Sequence, residues 1–104
     1  MKFMITWTLR DREGASPAER IAEGKAILDA FKRYTPHPDT QFLQWVSRAD
    51  QLGGCAIIET DNAVALNDAV GKFNAWYEWD IAPVFDLMDE QALQMFQENY
   101  DYHA

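Results

Sequence analysis

The chain has 104 residues, 48% of them hydrophobic and 25% charged, which is typical of one globular domain. Seventeen acidic against nine basic residues give a formal net charge of -8, and the basic residues do not cluster, so we expect no binding to nucleic acid or to an anionic membrane surface. The single cysteine excludes an intrachain disulfide, the first residues lack the pattern of a secretion signal, and no apolar run approaches the ~20 residues that span a bilayer. These features predict a single domain over residues 1–104 in a reducing cytosol.

The first third of the chain predicts a strand followed by a helix. Lys2 to Leu9 alternates between large apolar and smaller or polar residues, which is the period-two pattern of a strand. Ser16, Pro17 and Glu19 form the pattern of a capping box with proline at the first helical position. The helix ends before residues 35–38, because each proline there disfavours helix in the residue before it. Gly24 lies on its apolar stripe, where we expect a close approach to a sheet.

A hairpin follows in the predicted order of elements. Thr40 to Ala49 has the composition of a strand, residues 50–54 that of a hairpin loop, and Cys55 to Thr60 that of an antiparallel return strand. Simple alternation places Leu43 and Trp45 on one face of the second strand and Phe42, Gln44, Val46 and Arg48 on the other.

The last part of the chain predicts helix, strand and helix. Thr60 or Asp61 caps a second helix with the apolar stripe Leu66, Ala69, Val70 and Phe73. A fourth strand is entered through residues 76–79 and continues to residue 87, and Pro83 favours an edge position or a bulge because proline cannot donate to a ladder. A third helix begins at Asp89, and its apolar side, formed by Leu93, Phe96 and Tyr100, must dock somewhere.

This order of elements predicts an α+β fold, the ferredoxin-like βαββαβ sandwich, with an extra C-terminal helix. Right-handed crossovers place the first and third strands in the middle of a four-stranded antiparallel sheet. We expect both main helices to pack on one face, against Phe3, Ile5, Trp7, Leu9, Ile81 and Phe85. The opposite, open face would then carry Met4, Thr6, Thr8, Gln44, Asp80 and Val84.

The mixed character of this open face favours a homodimer. Four strands of this length present roughly 400 Å² on one face. If about half of that is apolar, pairing two copies gives ~10 kcal/mol, against an association cost of ~4 to 15 kcal/mol. Stacking of the sheets alone is therefore marginal, and we expect strand pairing or docking of the third helix on the partner to complete the dimer.

Three stretches resemble a family of small uncharacterised bacterial and marine proteins. They are residues 2–7 (KFMITW), residues 53–61 (GGCAIIETD) and residues 79–86 (WDIAPVFD) with the acidic helix start that follows. Members of that family are assigned to the dimeric α+β barrel, a ferredoxin-like superfamily. The superfamily includes cofactor-free monooxygenases, haem-degrading enzymes and isomerase-like enzymes, so the resemblance implies a fold but transfers no catalytic residue.

The candidate site is the open sheet face. A desolvated Asp80 beside Thr6 could act as a general base on a carbon acid or phenol, and Glu59 joins it if the third strand points that way. Surface carboxylates paired with Lys2 or Arg48 are the simpler interpretation. The predicted ligand-binding residues are Thr6, Thr8, Met4, Gln44, Val84 and His37, the last at the mouth of the cleft.

Other chemistry has less support in the sequence. His37 and His103 have no partner at ligand spacing, so we predict no metal site, and nucleotide or zinc motifs are absent. Cys55 is more simply a buried small hydrophobe than a nucleophile, and the tryptophans are more simply core than an aromatic cleft. We therefore predict no cofactor. The function hypotheses are a homodimer that binds a small, partly apolar molecule, a cofactor-independent monooxygenase-like or isomerase-like enzyme, and a purely structural or interaction protein.

Overall fold

A computed structural model describes residues 1–104 as one α+β unit with a four-stranded antiparallel sheet and three α-helices. The strands are β1 (Lys2–Leu9), β2 (Gln41–Ser47), β3 (Gly53–Glu59) and β4 (Tyr77–Val84). The helices are α1 (Pro17–Arg33), α2 (Leu66–Phe73) and α3 (Glu90–Tyr102), and a 3₁₀ turn at Ala63–Ala65 precedes α2. Every predicted element is present, with ends that differ by a few residues.

The sheet has the order β2-β3-β1-β4, so the first and third strands are central, as the crossover argument predicted. β1 pairs antiparallel with both β3 and β4, and β2 pairs only with β3. Pro83 lies on β4, an edge strand that pairs only with β1. Proline has no N–H to donate to a ladder and is therefore found mainly on such edge strands. The predicted edge position of this strand is confirmed.

One face of the sheet carries the hydrophobic core. Ile5 and Ile58 are almost fully buried at its centre, and α2 contributes Leu66 and Phe73 to the same cluster. The C-terminal half of α1 packs against this cluster through Ile27, Ala30 and Phe31. The stacked rings of Phe31 and Phe73, with centroids 4.5 Å apart, join the two helices above the sheet.

The facing of β2 differs from simple alternation. A register shift between Phe42 and Gln44 inserts one extra residue, so Phe42 pairs with Ile58 and Trp45 pairs with Ala56 on the core side. The prediction that Phe42 and Trp45 lie on opposite faces is therefore wrong, because a β-bulge reverses the alternation after the extra residue. The rings of Phe42 and Trp45 are 5.1 Å apart and both lie next to Tyr34.

Side-chain hydrogen bonds cap the starts of α1, of α3 and of the 3₁₀ turn before α2. The capping box at α1 is present in full, with Ser16 Oγ accepting from the Glu19 backbone N–H and Glu19 Oε1 accepting from the Ser16 N–H. Asp89 caps α3 by accepting from the Ala92 N–H. The predicted cap of the second helix was wrong: Asn62 caps the 3₁₀ turn that leads into α2.

The C-terminal segment 85–104 projects from the body of the protein, and we call it the arm. None of the residues of α3 is buried, and the Phe85 ring, 65% exposed, touches only the Phe96 ring of the same arm among aromatic groups. The radius of gyration is 17.7 Å and the longest dimension 59 Å. A compact chain of this length would have a radius of about 13 Å. Phe85, predicted to face the core, therefore lies outside it because β4 ends at Val84.

The close approach expected at Gly24 does not occur. A Cβ atom built there meets no heavy atom within 4 Å, so α1 stands away from the sheet at this point. Close approach occurs instead at Gly54 of β3, where a Cβ atom would overlap the Trp7 indole and the Val46 carbonyl oxygen. The absence of a side chain at residue 54 thus makes room for the Trp7 ring on the core face.

We predict that Gly54→Ala lowers the free energy of unfolding by about 1–3 kcal/mol, because the added methyl displaces Trp7 or the β2 backbone. The control is Gly71→Ala at an exposed position of α2, where the added Cβ meets no heavy atom within 4 Å. This change should raise the free energy of unfolding by ~0.5–1 kcal/mol. Urea unfolding followed by tryptophan fluorescence measures both changes. Equal effects of the two substitutions would contradict this account of the β3 packing.

Candidate functional site

The register of the sheet defines its open face. Residues paired across neighbouring strands share a face, so the partners of Met4, Thr6 and Thr8 lie on the open side with them. The remaining members of the open face are Lys2, Gln41, Gln44, Val46, Gly53, Cys55, Ile57, Glu59, Glu78, Asp80, Ala82 and Val84. The sequence did not determine which side of β3 shares a face with Thr6. In the structure, Cys55, Ile57 and Glu59 lie on the open face.

Asp80 lies on the open face, midway along the edge strand β4. It is directly opposite Thr6 on β1, and Thr6 is opposite Cys55 on β3. The next residue in this cross-strand row is Val46 on β2. Cys55 was predicted to be a buried small hydrophobe, but it is only half-buried, on the open face. The sequence did not predict this row of residues, because only the register of β3 against β1 determines that Cys55 shares a face with Thr6.

The Asp80 carboxylate is exposed and takes part in none of the ion pairs of the chain. It also has no partner among Lys2 and Arg48, because Lys2 Nζ is 2.8 Å from Asp86 Oδ1 and Arg48 pairs with Asp50. The β4 edge of the open face therefore holds a carboxylate without a fixed counter-charge.

Glu59 lies on the same face but at the other end of the sheet. It pairs across the ladder with Lys2, which is four residues from Thr6 along β1, or ~13 Å. Its Oε1 atom accepts from the N-terminal ammonium of Met1 at 3.0 Å, and the hydrogen bonds that this amine donates to Glu59 and Asp61 raise its pKa. The structure thus does not bring Glu59 and Asp80 together, and Glu59 acts as a partner for the amino terminus.

The predicted ligand-binding residues divide into two groups. Met4, Thr6, Thr8, Gln44 and Val84 all lie on the open face, as the alternation predicted. His37 lies in the loop between α1 and β2, where its Nδ1 accepts from the Asp39 backbone N–H at 3.0 Å. That bond shapes the loop, and a role for His37 in ligand binding stays a prediction.

The open face has an apolar middle and charged ends. Met4 is flanked by Ile57 and Ala82 in one cross-strand row, while Lys2 and Glu59 lie at one end of the sheet and Glu78 lies at the other. An apolar centre with a polar rim is the usual anatomy of a protein interface or of a site for a partly apolar ligand. The uncovered sheet therefore has the composition of a contact surface.

On the other side of the sheet, aromatic and aliphatic side chains line a small, partly open cavity of about 20 Å³. Its walls are entirely apolar and include Trp7, Tyr34, Phe73 and Trp79. Trp7, Trp76 and Trp79 belong to the core or pack against it, as predicted, whereas Trp45 is 42% exposed. The Trp79 Nε1 donor is buried without a hydrogen-bond partner. Burial, and next the charge of Asp68, raise the pKa of Tyr34 to about 12.

The described chain has no group of three or more histidine, cysteine, aspartate or glutamate side chains that could hold a metal ion. None of its helices combines the length and the apolar character needed to cross a bilayer.

Because the pKa of Tyr34 is raised in the folded protein, we expect the free energy of unfolding to fall at alkaline pH. An unfolded tyrosine ionises near its ordinary value of 10.0, whereas folded Tyr34 stays neutral up to about 12. Its contribution to stability is therefore present below pH ~10 and is lost as the pH rises towards ~12. Urea midpoints of wild type and Tyr34→Phe should converge, or cross, in that window, with Tyr102→Phe, 85% exposed near the end of α3, as control. Parallel pH profiles of wild type and Tyr34→Phe would contradict the assignment.

Comparison with known proteins places the chain in a family. A search of the curated proteins found no match. A family model described as a domain of unknown function, DUF3303, matches residues 1–99, nearly the whole chain. The expected resemblance to an uncharacterised family is thus confirmed. The α+β chain with its uncovered sheet face and projecting arm belongs to the DUF3303 family of domains of unknown function.

Proposed function

We propose that the protein is a homodimer of ferredoxin-like subunits that binds a small, partly apolar molecule in a cleft over the open sheet face. The order β2-β3-β1-β4, with α1 and α2 packed on one face, supports the ferredoxin-like class. The observation that carries the proposal is the arm, whose apolar side chains have no core of their own to enter. A second subunit supplies the missing contact.

The arm is built like an element that packs against something. Leu93, Phe96 and Tyr100 recur at helical spacing along one side of α3, and Tyr100 is 77% exposed. Leu87 and Met88, which lead into the helix, are 67% and 76% exposed. The start of the arm is held to β1 by the ion pair between Lys2 and Asp86, so the helix leaves the body at a defined point.

The energetics favour a dimer that uses both surfaces. The open face alone offers ~10 kcal/mol, which the association cost of ~4 to 15 kcal/mol can offset completely. Each large apolar side chain of the arm adds ~1.5–3 kcal/mol when it is fully buried, and a symmetric dimer buries two arms. The net charge of -8 per subunit opposes association, so salt should strengthen the dimer.

We predict a dimer at micromolar concentration by native mass spectrometry and sedimentation equilibrium. Leu93→Glu should weaken it by about two orders of magnitude, since two copies of the leucine lose their burial. Gln91→Glu, which adds the same charge to another side of the same helix, should leave it nearly unchanged. A wild-type monomer, or equal weakening by both variants, would contradict the proposed role of the arm.

The ligand proposal follows from the composition of the face. Met4, Ile57 and Val84 offer apolar contact, while Thr6, Gln44 and Asp80 can hydrogen-bond. A molecule with an apolar body and a hydroxyl or acidic C–H group matches this pattern. The partner's arm would close the cleft over such a molecule and exclude water from it.

The position of Asp80 on the open face favours a second candidate function, a cofactor-independent enzyme. Covering the open face in a dimer would desolvate this carboxylate, which has no cationic partner in the chain. It could then act as a general base towards a phenol or a carbon acid held beside Thr6. The purely structural hypothesis predicts no such ligand.

A thermal-shift screen of phenols and small carbon acids separates these functions. We expect at least one compound to stabilise the wild type, and Asp80→Asn to abolish that shift or any turnover. Glu78→Gln, on the same strand and face, makes the same change of charge and should retain both. A compound whose effect survives both Asp80→Asn and Thr6→Val binds elsewhere, and the absence of any ligand would support the structural hypothesis.

A further inference from the structure

A large groove lies on the helix side of the sheet, away from the open face. It has a volume of about 990 Å³ and runs between α1, the end of β1 and the loop of the β2–β3 hairpin. It exists because the N-terminal half of α1 stands clear of the sheet, as the empty space around Gly24 shows. Ligand pockets of proteins span ~300–1,000 Å³, so the groove is large enough for a small molecule.

The groove collects most of the positive charge of an acidic protein. Five of the nine basic residues of the chain line it, against three acidic residues. The five are Arg10, Arg12, Arg20, Lys25 and Arg48, and the three are Asp11, Glu23 and Asp50. The lining therefore has a formal charge of +2, being five positive less three negative groups, in a chain with a net charge of -8.

These cations differ in how they are held. Arg12 is fixed by Glu23 Oε2 at 2.7 Å and donates to the Ala75 carbonyl oxygen, and Arg10 donates to the backbone of Asn74. Arg20 and Lys25 take part in none of the ion pairs of the chain. Two positive charges at the groove are therefore available to an anion from outside.

Between these two cations the wall is apolar. At about 100° per residue, Ile21, Gly24 and Leu28 form a stripe on α1 that Arg20 and Lys25 flank on either side. Ile21 and Leu28 are 60% and 54% exposed. Leu9 and Tyr77 extend the apolar lining across the sheet, and Phe31 belongs both to the groove and to the wall of the aromatic cavity.

We propose that this groove binds a small amphipathic anion, an acyl or aryl carboxylate. Its carboxylate would lie between Arg20 and Lys25, and its apolar body would cover the α1 stripe and run towards Phe31. The site is formed by one chain on the side of the sheet opposite Asp80, so it does not depend on the proposed dimer or on the ligand of the open face.

The charge distribution argues for a small anion over a membrane surface. A chain with a net charge of -8 is repelled by an anionic bilayer, while a concave site can concentrate its positive potential on a single carboxylate. For the same reason the protein as a whole would attract a cationic amphiphile more than an anionic one. A preference for the carboxylate can therefore come only from the cations of the groove.

Isothermal titration calorimetry with decanoate, decan-1-ol and decyltrimethylammonium tests the proposal on the full chain. We expect decanoate to bind most tightly of the three compounds, and its affinity to fall as salt is added. The double variant Arg20→Gln, Lys25→Gln should raise its Kd about tenfold, since it removes two charge-assisted contacts. The control Lys32→Gln, Arg33→Gln makes the same change of charge at the end of the same helix, outside the groove lining, and should change the Kd little.

A block of the groove gives a second test. Gly24→Leu places a side chain in open space, so the fold should tolerate it while decanoate binding is lost. The proposal is overturned if decanoate does not bind, if decyltrimethylammonium binds as tightly, or if both double variants weaken decanoate equally. Binding to phosphatidylglycerol vesicles that decanoate does not displace would overturn it in favour of a membrane surface.

Discussion

A four-stranded sheet has two faces, and the helices that pack on this one cover only one of them. Ile5, Ile58 and Phe73 complete a core on the helix side, while Met4, Ile57 and Ala82 remain on the open side. β1 sets this division, because its pairing with both β3 and β4 fixes the register of three strands at once. A slip of one residue in that register would exchange the two faces.

The arm, at the C-terminal end of the chain, also has an uncovered apolar surface. An amphipathic helix of 13 residues with no buried side chain gains little from folding alone in water. Its apolar side and the apolar middle of the open face are therefore both uncovered in the single chain. The proposed dimer would cover both, and it would also enclose Asp80, whose carboxylate the single chain leaves in water. Under this proposal, assembly and function are linked through one surface.

Much of this fold could be predicted from the sequence, because strong local signals agree with the long-range pattern. The capping box at Ser16 and the alternation of β1 each determine an element without help from the rest of the chain. The facing of β2 could not be predicted, since one bulged residue reverses alternation and leaves no clear mark in composition. Phe85 was misplaced because its pattern continues past the end of β4 into the arm.

The candidate site was predictable only where it depends on one strand at a time. Thr6 and Asp80 were placed on a common face correctly, but Cys55 joined them through the register of β3, and Glu59 proved remote from both. The cationic groove was not predicted, because its residues come from α1, β1 and the hairpin and converge only in three dimensions. Clustering in sequence was therefore a poor guide to clustering of charge in space.

The central claim is that the arm packs against a second copy of the chain, and amide hydrogen exchange of α3 tests it most directly. The account predicts slow exchange of the α3 amides at high protein concentration and fast exchange after dilution, while the amides of β1 and β3 stay protected throughout. Fast exchange of α3 at every concentration would show that the arm has no partner, and would contradict the account.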